Sequence, residues 1–259
     1  TDTDPLAPNG TSVTNLARLT ANDDITALTS RQDDHTIILE QNGSMQIGKT
    51  VDRRLDPLND TQVYTVEYAN FAAAFTINPP TMIDVFPWNG DALGSLSERD
   101  PASNYQGSLT LTAAPTVTWK NGSVPTATDP YAAIGTFYYT KDAPATVNYS
   151  PDANTSKWCS TTDGGTTWAP QAPAGAADCP TSFAQVTAFK FVSSYPLDVD
   201  GKPRQGQKIT FTLKATDNQP ADRYTNRATV DTTSLPASQF LRSNNVIVQV
   251  PSYNLGDLV

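Results

Sequence analysis

Residues 44–52 read S-M-Q-I-G-K-T-V-D, and Lys49 stands in the middle of this strand-like run. Side chains alternate between the two faces of a β-strand, so Ile47, Lys49 and Val51 share one face. If that face is the apolar one, the Lys49 amine points into a core, where an amine is costly unless it is paired, neutral or chemically used. The stretch also allows a lysine whose ammonium group snorkels to the surface.

The composition indicates an all-β protein that carries an acidic charge. The 259 residues have a net charge of −9, and no long window shows apolar residues at helical spacing. The negative charge argues against nucleic acid or an anionic membrane as a partner, and no apolar run is long enough to span a bilayer. The sequence starts without Met and without a signal-peptide pattern, so we expect a segment of a longer protein.

The only two cysteines, Cys159 and Cys179, lie in a polar, loop-rich stretch. They bracket a loop whose small residues supply little core, so we predict a disulfide formed in an oxidising compartment. Closing a loop of about 20 residues would contribute roughly 3 kcal/mol by the chain-entropy relation. Two free thiols are the alternative.

Strand patterns recur along the chain and include an internal repeat. The segments T-N-L-A-R-L-T at 14–20 and T-N-R-A-T-V at 225–230 are each followed by an apolar strand, at 36–41 and 246–250. The repeat predicts that residues 1–42 are the last strands of a preceding repeat or a linker. Residues 43–252 then form the main domain, and residues 253–259 begin a further domain or linker. Chance similarity of two β-hairpins is the alternative.

Several motifs, taken in order, resemble a repeat found in large bacterial surface proteins. The repeat is an immunoglobulin-like sandwich related to collagen-adhesin A-type and fimbrial isopeptide-forming domains. The match covers roughly 43–252, with a longer and less typical insertion at 121–205. The terminal Y-N-L-G-D-L-V resembles the opening strand of a B-type domain from serine-aspartate-repeat surface proteins. The motifs are K-T-V-D at 49–52, Y-T-V-E-Y-A-N at 64–70, I-D-V-F-P at 83–87, T-N-R-A-T-V at 225–230 and N-N-V-I-V-Q-V at 244–250.

The resemblance implies an intramolecular isopeptide bond between Lys49 and Asn226, with Asp84 as the assisting acid. Physical chemistry is compatible with this, because burial favours both a neutral amine nucleophile and a protonated carboxyl. Glu67, in the preceding strand, is an alternative acid. A buried Lys49–Asp84 salt bridge capped by Asn226, without any bond, is the other interpretation.

The same resemblance implies that Asn15 is the equivalent acceptor of the preceding repeat, whose lysine lies outside this segment. We therefore expect Asn15 to be unlinked in this chain.

One departure from the family pattern is Phe86, which stands where the family usually has leucine.

The expected function is that of a structural or adhesive stalk module on a bacterial cell surface, with neighbouring repeats as partners and an external ligand that the sequence does not name. The alternative is carbohydrate or ligand binding by surface aromatics, which would be Trp88, Trp158, Trp168, Tyr138 and Tyr139.

Catalytic turnover, a cofactor and a metal site are not expected. The chain has no nucleophile elbow, no zinc-ligand spacing and a single histidine, His35. Acidic turns at 22–24 and 198–202 offer oxygen ligands for calcium, but they lack the full EF-hand pattern.

Overall fold

The computed structural model describes residues 45–55, 58–123, 133–151, 153–235 and 239–251, and the backbone of 11–18 and 32–39. The chain divides into two compact units, Thr1–Ser44 and Met45–Val259, which we treat separately. The proposed junction at 42–43 and the proposed further domain at 253–259 lie outside the described residues.

The first unit contains two antiparallel strands, β1 at Thr11–Arg18 and β2 at Gln32–Leu39, which form a two-stranded sheet. Asn15 lies opposite His35 in this pair. That the pair belongs to a preceding repeat stays a prediction.

The second unit consists of short strands joined by loops. Its helical segments, within the described residues, are three-residue 3-10 turns, and no helix there could cross a membrane. The strands are β3 Met45–Val51, β4 Thr61–Asn70, β5 Thr81–Val85, β6 Ser108–Leu111, β7 Thr116–Trp119, β8 Gly135–Thr140, β9 Trp158–Ser160, β10 Ala169–Gln171, β11 Ala188–Ser193, β12 Gly206–Thr216, β13 Arg223–Asn226, β14 Ala228–Asp231, β15 Leu241–Arg242 and β16 Val246–Gln249.

Two antiparallel sheets face each other across an aromatic core. One has the order β10-β9-β8-β11-β5-β14-β15; the other has β3-β4-β12, with both β6 and β7 pairing along the far side of β12. The ring of Phe211 on β12 lies 5.0 Å from that of Phe189 on β11 and 6.1 Å from that of Phe86, so side chains of both sheets interdigitate. The expectation of an all-β sandwich is confirmed.

The alternation read from the sequence is present in the strands that build the site. On β3, Met45 and Lys49 are buried whereas Gln46 and Thr50 are exposed, so Lys49 belongs to the inner face. β4 likewise buries every second side chain against the core. The alternative of a snorkelling lysine is wrong, because only 2% of Lys49 is exposed.

One extended segment passes from one sheet to another. β13 pairs with β16, and after the single residue Arg227 the chain continues as β14, which pairs with β5. Asn226 is the last residue before this crossing and is fully buried. In the new pairing Ala228 lies opposite Asp84, which places the end of β13 beside the C-terminal end of β5.

The long insertion contributes strands to the sandwich. β8 and β11 are inner strands of the seven-stranded sheet, and β9 and β10 extend its edge. Cys159 on β9 lies opposite Tyr139 of β8 and forms a disulfide with Cys179, with a Cα–Cα distance of 5.5 Å. The disulfide therefore ties the segment after β10 to the sheet edge.

Candidate crosslinking site

Lys49 and Asp84 form a buried ion pair between the two sheets. The Lys49 Nζ contacts Asp84 Oδ2, and both side chains are entirely removed from solvent. Aromatic rings enclose the amine, with the centroids of Tyr64 and Phe211 at 5.2 and 5.1 Å from Nζ. β3 contributes the lysine and β5 the aspartate, so the pair joins opposite layers of the sandwich.

Burial brings the proton affinities of the two groups towards each other. It lowers the pKa of Lys49 from 10.5 to about 8, although Asp84 acts in the opposite direction. Burial also raises the pKa of Asp84, against the influence of Lys49. Because both ionised forms lose favour, a neutral amine beside a protonated carboxyl becomes accessible, which is the state that nucleophilic attack requires.

The Asn226 carboxamide lies beside this pair. Its presence lowers the pKa of Asp84, and its Oδ1 accepts a hydrogen bond from the Arg227 N–H at 2.7 Å. Within the described part of the chain, Asn226 Nδ2 and Asp84 Oδ1 are both buried without a hydrogen-bond partner. The amide oxygen is thus held, whereas the amide nitrogen and one carboxyl oxygen are left unsatisfied in the same region.

Arg99 is a member of the site that sequence reasoning missed. It is 1% exposed, and its Nη2 donates to the Val85 carbonyl and, at 3.3 Å, to Asn226 Oδ1. Its Nη1 is 2.6 Å from Asp91 Oδ2 in a second buried ion pair. Arg99 lies in the loop after β5, where polar turn residues give no periodicity that would mark it as buried.

Asn244 holds the backbone of Lys49. Its Oδ1 accepts from the Lys49 N–H and its Nδ2 donates to the Lys49 carbonyl, both at 3.0 Å. β3 is an edge strand, so this side-chain amide satisfies the two backbone groups that no neighbouring strand pairs. The sequence placed Asn244 within the N-N-V-I-V-Q-V motif but assigned it no role.

Glu67 does not belong to the site. It lies on β4 with its side chain on the face opposite the core, 43% exposed, and its Oε1 is 3.9 Å from the Lys120 Nζ. Asp84 is therefore the carboxyl that contacts the Lys49 amine.

The aromatic residues considered for ligand stacking are largely part of the interior. Tyr139 and Trp158 are 1% and 4% exposed. The ring of Trp168 packs edge-on against Tyr139 and Phe183, both at 5.4 Å. These rings stabilise the sheet edge near the disulfide and do not form an open platform.

The acidic turns do not gather into a metal site in the residues that the structure describes, where no group of three His, Cys, Asp or Glu could hold an ion. The Asp198 carboxylate instead accepts two hydrogen bonds from Arg204, at 2.8 and 3.1 Å. The turn at 22–24 lies outside the described residues.

Comparison with solved structures gives distant similarity to pilin subunits and to one enzyme. No family model and no curated protein matches the chain. A variant of BcpA, the major pilin subunit of Bacillus cereus, is 9% identical with a TM-score of 0.43 over 84% of this chain and 45% of its own. The major pilin SpaD from Corynebacterium diphtheriae is 14% identical with a TM-score of 0.35, over 78% and 34%.

AvmM, which catalyses macrocyclization in alchivemycin A biosynthesis, is 9% identical with a TM-score of 0.32, over 82% of this chain and 91% of its own. By contrast, the chain covers less than half of the length of the two pilin subunits, BcpA and SpaD. Similarity at this level carries no argument about function, which is argued below from the site.

Proposed function

We propose that the chain is a structural module of a bacterial cell-surface stalk, and that its main domain closes an isopeptide bond between Lys49 and Asn226 with Asp84 as the assisting acid. The observation that carries the proposal is the fully buried Lys49–Asp84 pair with the Asn226 carboxamide beside it. The motif resemblance of the sequence supports the same assignment.

The energetics of the pair favour a chemical role over a purely structural one. A buried ion pair contributes little net stability, because desolvation offsets most of the attraction. The lowered pKa of Lys49 makes the neutral amine more populated at neutral pH than in an ordinary lysine. Folding holds amine and amide in one core, which supplies the high effective molarity that amide formation needs.

The position of the site suits a load-bearing module. Among the described residues, β3 is the first strand of the main domain and β16 the last. The Gln249 N–H donates to the Arg54 carbonyl, next to a parallel bridge between Leu55 and Gln249. Tension on the two chain ends would shear these terminal segments past each other. Hydrogen bonds, each worth about 1 kcal/mol net, resist such shear far less than a covalent bond from β3 to β13.

The extracellular location and the role of neighbouring repeats as partners belong to this proposal. The Cys159–Cys179 disulfide supports it, because such bonds persist in oxidising compartments. We expect a single autocatalytic turnover per chain and no further enzymatic activity.

Intact mass spectrometry tests the proposal directly. After reduction of the disulfide, the wild-type chain should be lighter than its sequence mass by one ammonia, and digestion should release a branched peptide joining Lys49 to Asn226. The Asp84→Asn variant should fold but keep its full mass. Glu67→Gln, a matched carboxyl removal on the outer face, should crosslink like wild type. A wild-type chain of full mass would contradict the isopeptide bond, and Lys49 and Asp84 would then form a buried ion pair without further chemistry.

A further inference from the structure

We propose that Arg99 is a catalytic residue of the crosslinking reaction, acting with the Arg227 N–H as the oxyanion-stabilising site for the Asn226 carboxamide. The inference rests on the proposed isopeptide bond and goes beyond it by assigning separate roles to two residues. Arg99 polarises the Asn226 carbonyl, and Asp84 transfers protons.

The contacts of Asn226 carry this assignment. Its Oδ1 receives two donors, the Arg227 N–H at 2.7 Å and the Arg99 Nη2 at 3.3 Å. Negative charge develops on this oxygen when an amine attacks the amide carbon, and preorganised donors aimed at such an oxygen are usually the largest single contribution to catalysis. Asp84 is not needed to polarise the oxygen, since both donor positions are already filled.

Arg99 is fixed in this position by a surrounding set of acceptors. Asp91 Oδ2 binds its Nη1, and the Asp91 carboxylate is itself held by the Ser103 N–H at 2.6 Å and the Ser103 hydroxyl at 2.8 Å. The Val85 carbonyl accepts from Nη2 at the end of β5, directly after Asp84. The guanidinium therefore cannot swing away from the carboxamide without breaking a buried network.

Stability alone does not account for this network. Replacing a buried ion pair by well-packed apolar residues is often neutral or stabilising. Arg99 Nε also remains buried without a hydrogen-bond partner among the residues that the structure describes, which adds a desolvation cost. A charge kept in the core at this cost, touching the reacting amide, is consistent with a chemical function.

The reaction balances without any co-reactant. The neutral Lys49 Nζ attacks Asn226 Cγ, a carbon–nitrogen bond forms, and the carbonyl electron pair moves onto Oδ1, where Arg99 and the Arg227 N–H stabilise it. Protonated Asp84 delivers its proton to Nδ2, and the resulting carboxylate takes up the proton that the attacking nitrogen releases. The carbon–Nδ2 bond then breaks, the carbonyl re-forms and ammonia leaves. The products are one amide bond and one ammonia from one amine and one carboxamide.

The positive charge of Arg99 supports the same reaction at the nucleophile. Arg99 contributes, after burial and against Asp84, to lowering the pKa of Lys49. A fixed cation near the amine disfavours its protonated form, so the guanidinium assists both reaction partners.

The test measures ammonia loss over time by intact mass, in protein freshly made by cell-free synthesis. Removal of one oxyanion donor typically slows a reaction by 100- to 1,000-fold, so the Arg99→Met/Asp91→Asn double variant, which leaves no unpaired buried charge, should be slowed by about 100-fold or more. Arg99→Lys should be intermediate, because it keeps the charge and loses the forked geometry. Arg242→Met, which removes a half-buried arginine paired with Glu98, is the matched control and should react at the wild-type rate.

A second measurement keeps Arg99 in place and does not depend on how the Arg99 variants fold. In Lys49→Met, which cannot crosslink, the 13Cγ resonance of Asn226 should lie downfield of those of the other asparagines, because two donors polarise its carbonyl. A resonance in the ordinary asparagine range would overturn the role of Arg99. So would wild-type rates in the folded Arg99 variants. A wild-type chain that never loses ammonia would instead overturn the proposed function itself.

Discussion

Removing the Lys49–Asp84 pair as a unit isolates the stabilising effect of the crosslink. In the Lys49→Met/Asp84→Asn double variant the nucleophile is absent and neither partner is left as an uncompensated buried charge. Paired replacement of a buried ion pair by neutral groups of similar volume is close to neutral for stability. The difference from wild type therefore reports mainly the loss of the covalent bond.

The expected magnitude follows from the loop that the bond would close. Positions 49 and 226 enclose about 180 residues, for which the chain-entropy relation gives about 5 kcal/mol at 25 °C. In a domain of this size each kcal/mol shifts the melting temperature by about 2–4 °C. The double variant should accordingly melt about 10–20 °C below the wild type.

Calorimetry measures the melting temperatures of wild type and the double variant, and intact mass on the same samples shows whether the crosslink has formed. The matched control is Arg53→Met/Asp60→Asn, which removes an ion pair whose side chains are 40% and 36% exposed. An exposed pair of this kind contributes little, because water screens it, so the control should melt within a few degrees of wild type. If the double variant also melts there while the wild-type mass shows the lost ammonia, the loop-entropy reasoning is refuted.

Three further predictions follow from the geometry. Replacing Cys159 and Cys179 together by serine should lower the free energy of unfolding by about 3 kcal/mol, as measured by chemical denaturation; an unchanged midpoint would show that the loop is held by packing alone. Asn244→Ala should cost about 1–2 kcal/mol and slow crosslinking, because two hydrogen bonds to the Lys49 backbone are lost; a normal rate in the mass assay would show that the backbone of β3 is already fixed by β4. The crosslinking rate should fall as the pH rises through about 8. Lys49 and Asp84 then lose the proton that they share, so no acid remains to protonate the leaving nitrogen. A rate that keeps rising beyond that pH would exclude Asp84 as the proton donor.

The part of the site that lies on regular strands could be predicted from sequence. Lys49 lies in a strand whose alternation follows from its residue pattern, and Asp84 lies in the short apolar strand β5, which is buried from Met82 to Val85. Period-two spacing fixes the face on which a side chain lies, so the inward direction of Lys49 follows from its apolar neighbours at positions 47 and 51. Asn226 was found only through its resemblance to a motif, because its burial depends on the crossing between two sheets.

The part of the site that lies on loops could not be predicted in this way. Arg99 and Asp91 stand in a polar segment whose composition is typical of solvated turns, and only the pairing with Asn226 brings them into the core. The two-residue strand β15 and the three-residue strands β9 and β10 were likewise missed, because segments this short carry too few residues to show a period. Their position is set by partners distant in sequence.

The proposed reaction would also relieve a cost that the unreacted fold carries. Before crosslinking, the core holds two ion pairs, Lys49–Asp84 and Arg99–Asp91, together with an unsatisfied amide nitrogen and an unsatisfied carboxyl oxygen. Crosslinking would convert the ammonium of Lys49 into a neutral amide and leave Asp84 protonated. It would also remove Asn226 Nδ2, which has no hydrogen-bond partner among the described residues, as ammonia. Of these two pairs, Arg99–Asp91 alone would then remain charged, and its guanidinium would continue to bind the carbonyl oxygen of the new bond. The arrangement thus favours the product over the reactant both by loop entropy and by reduced desolvation of charge.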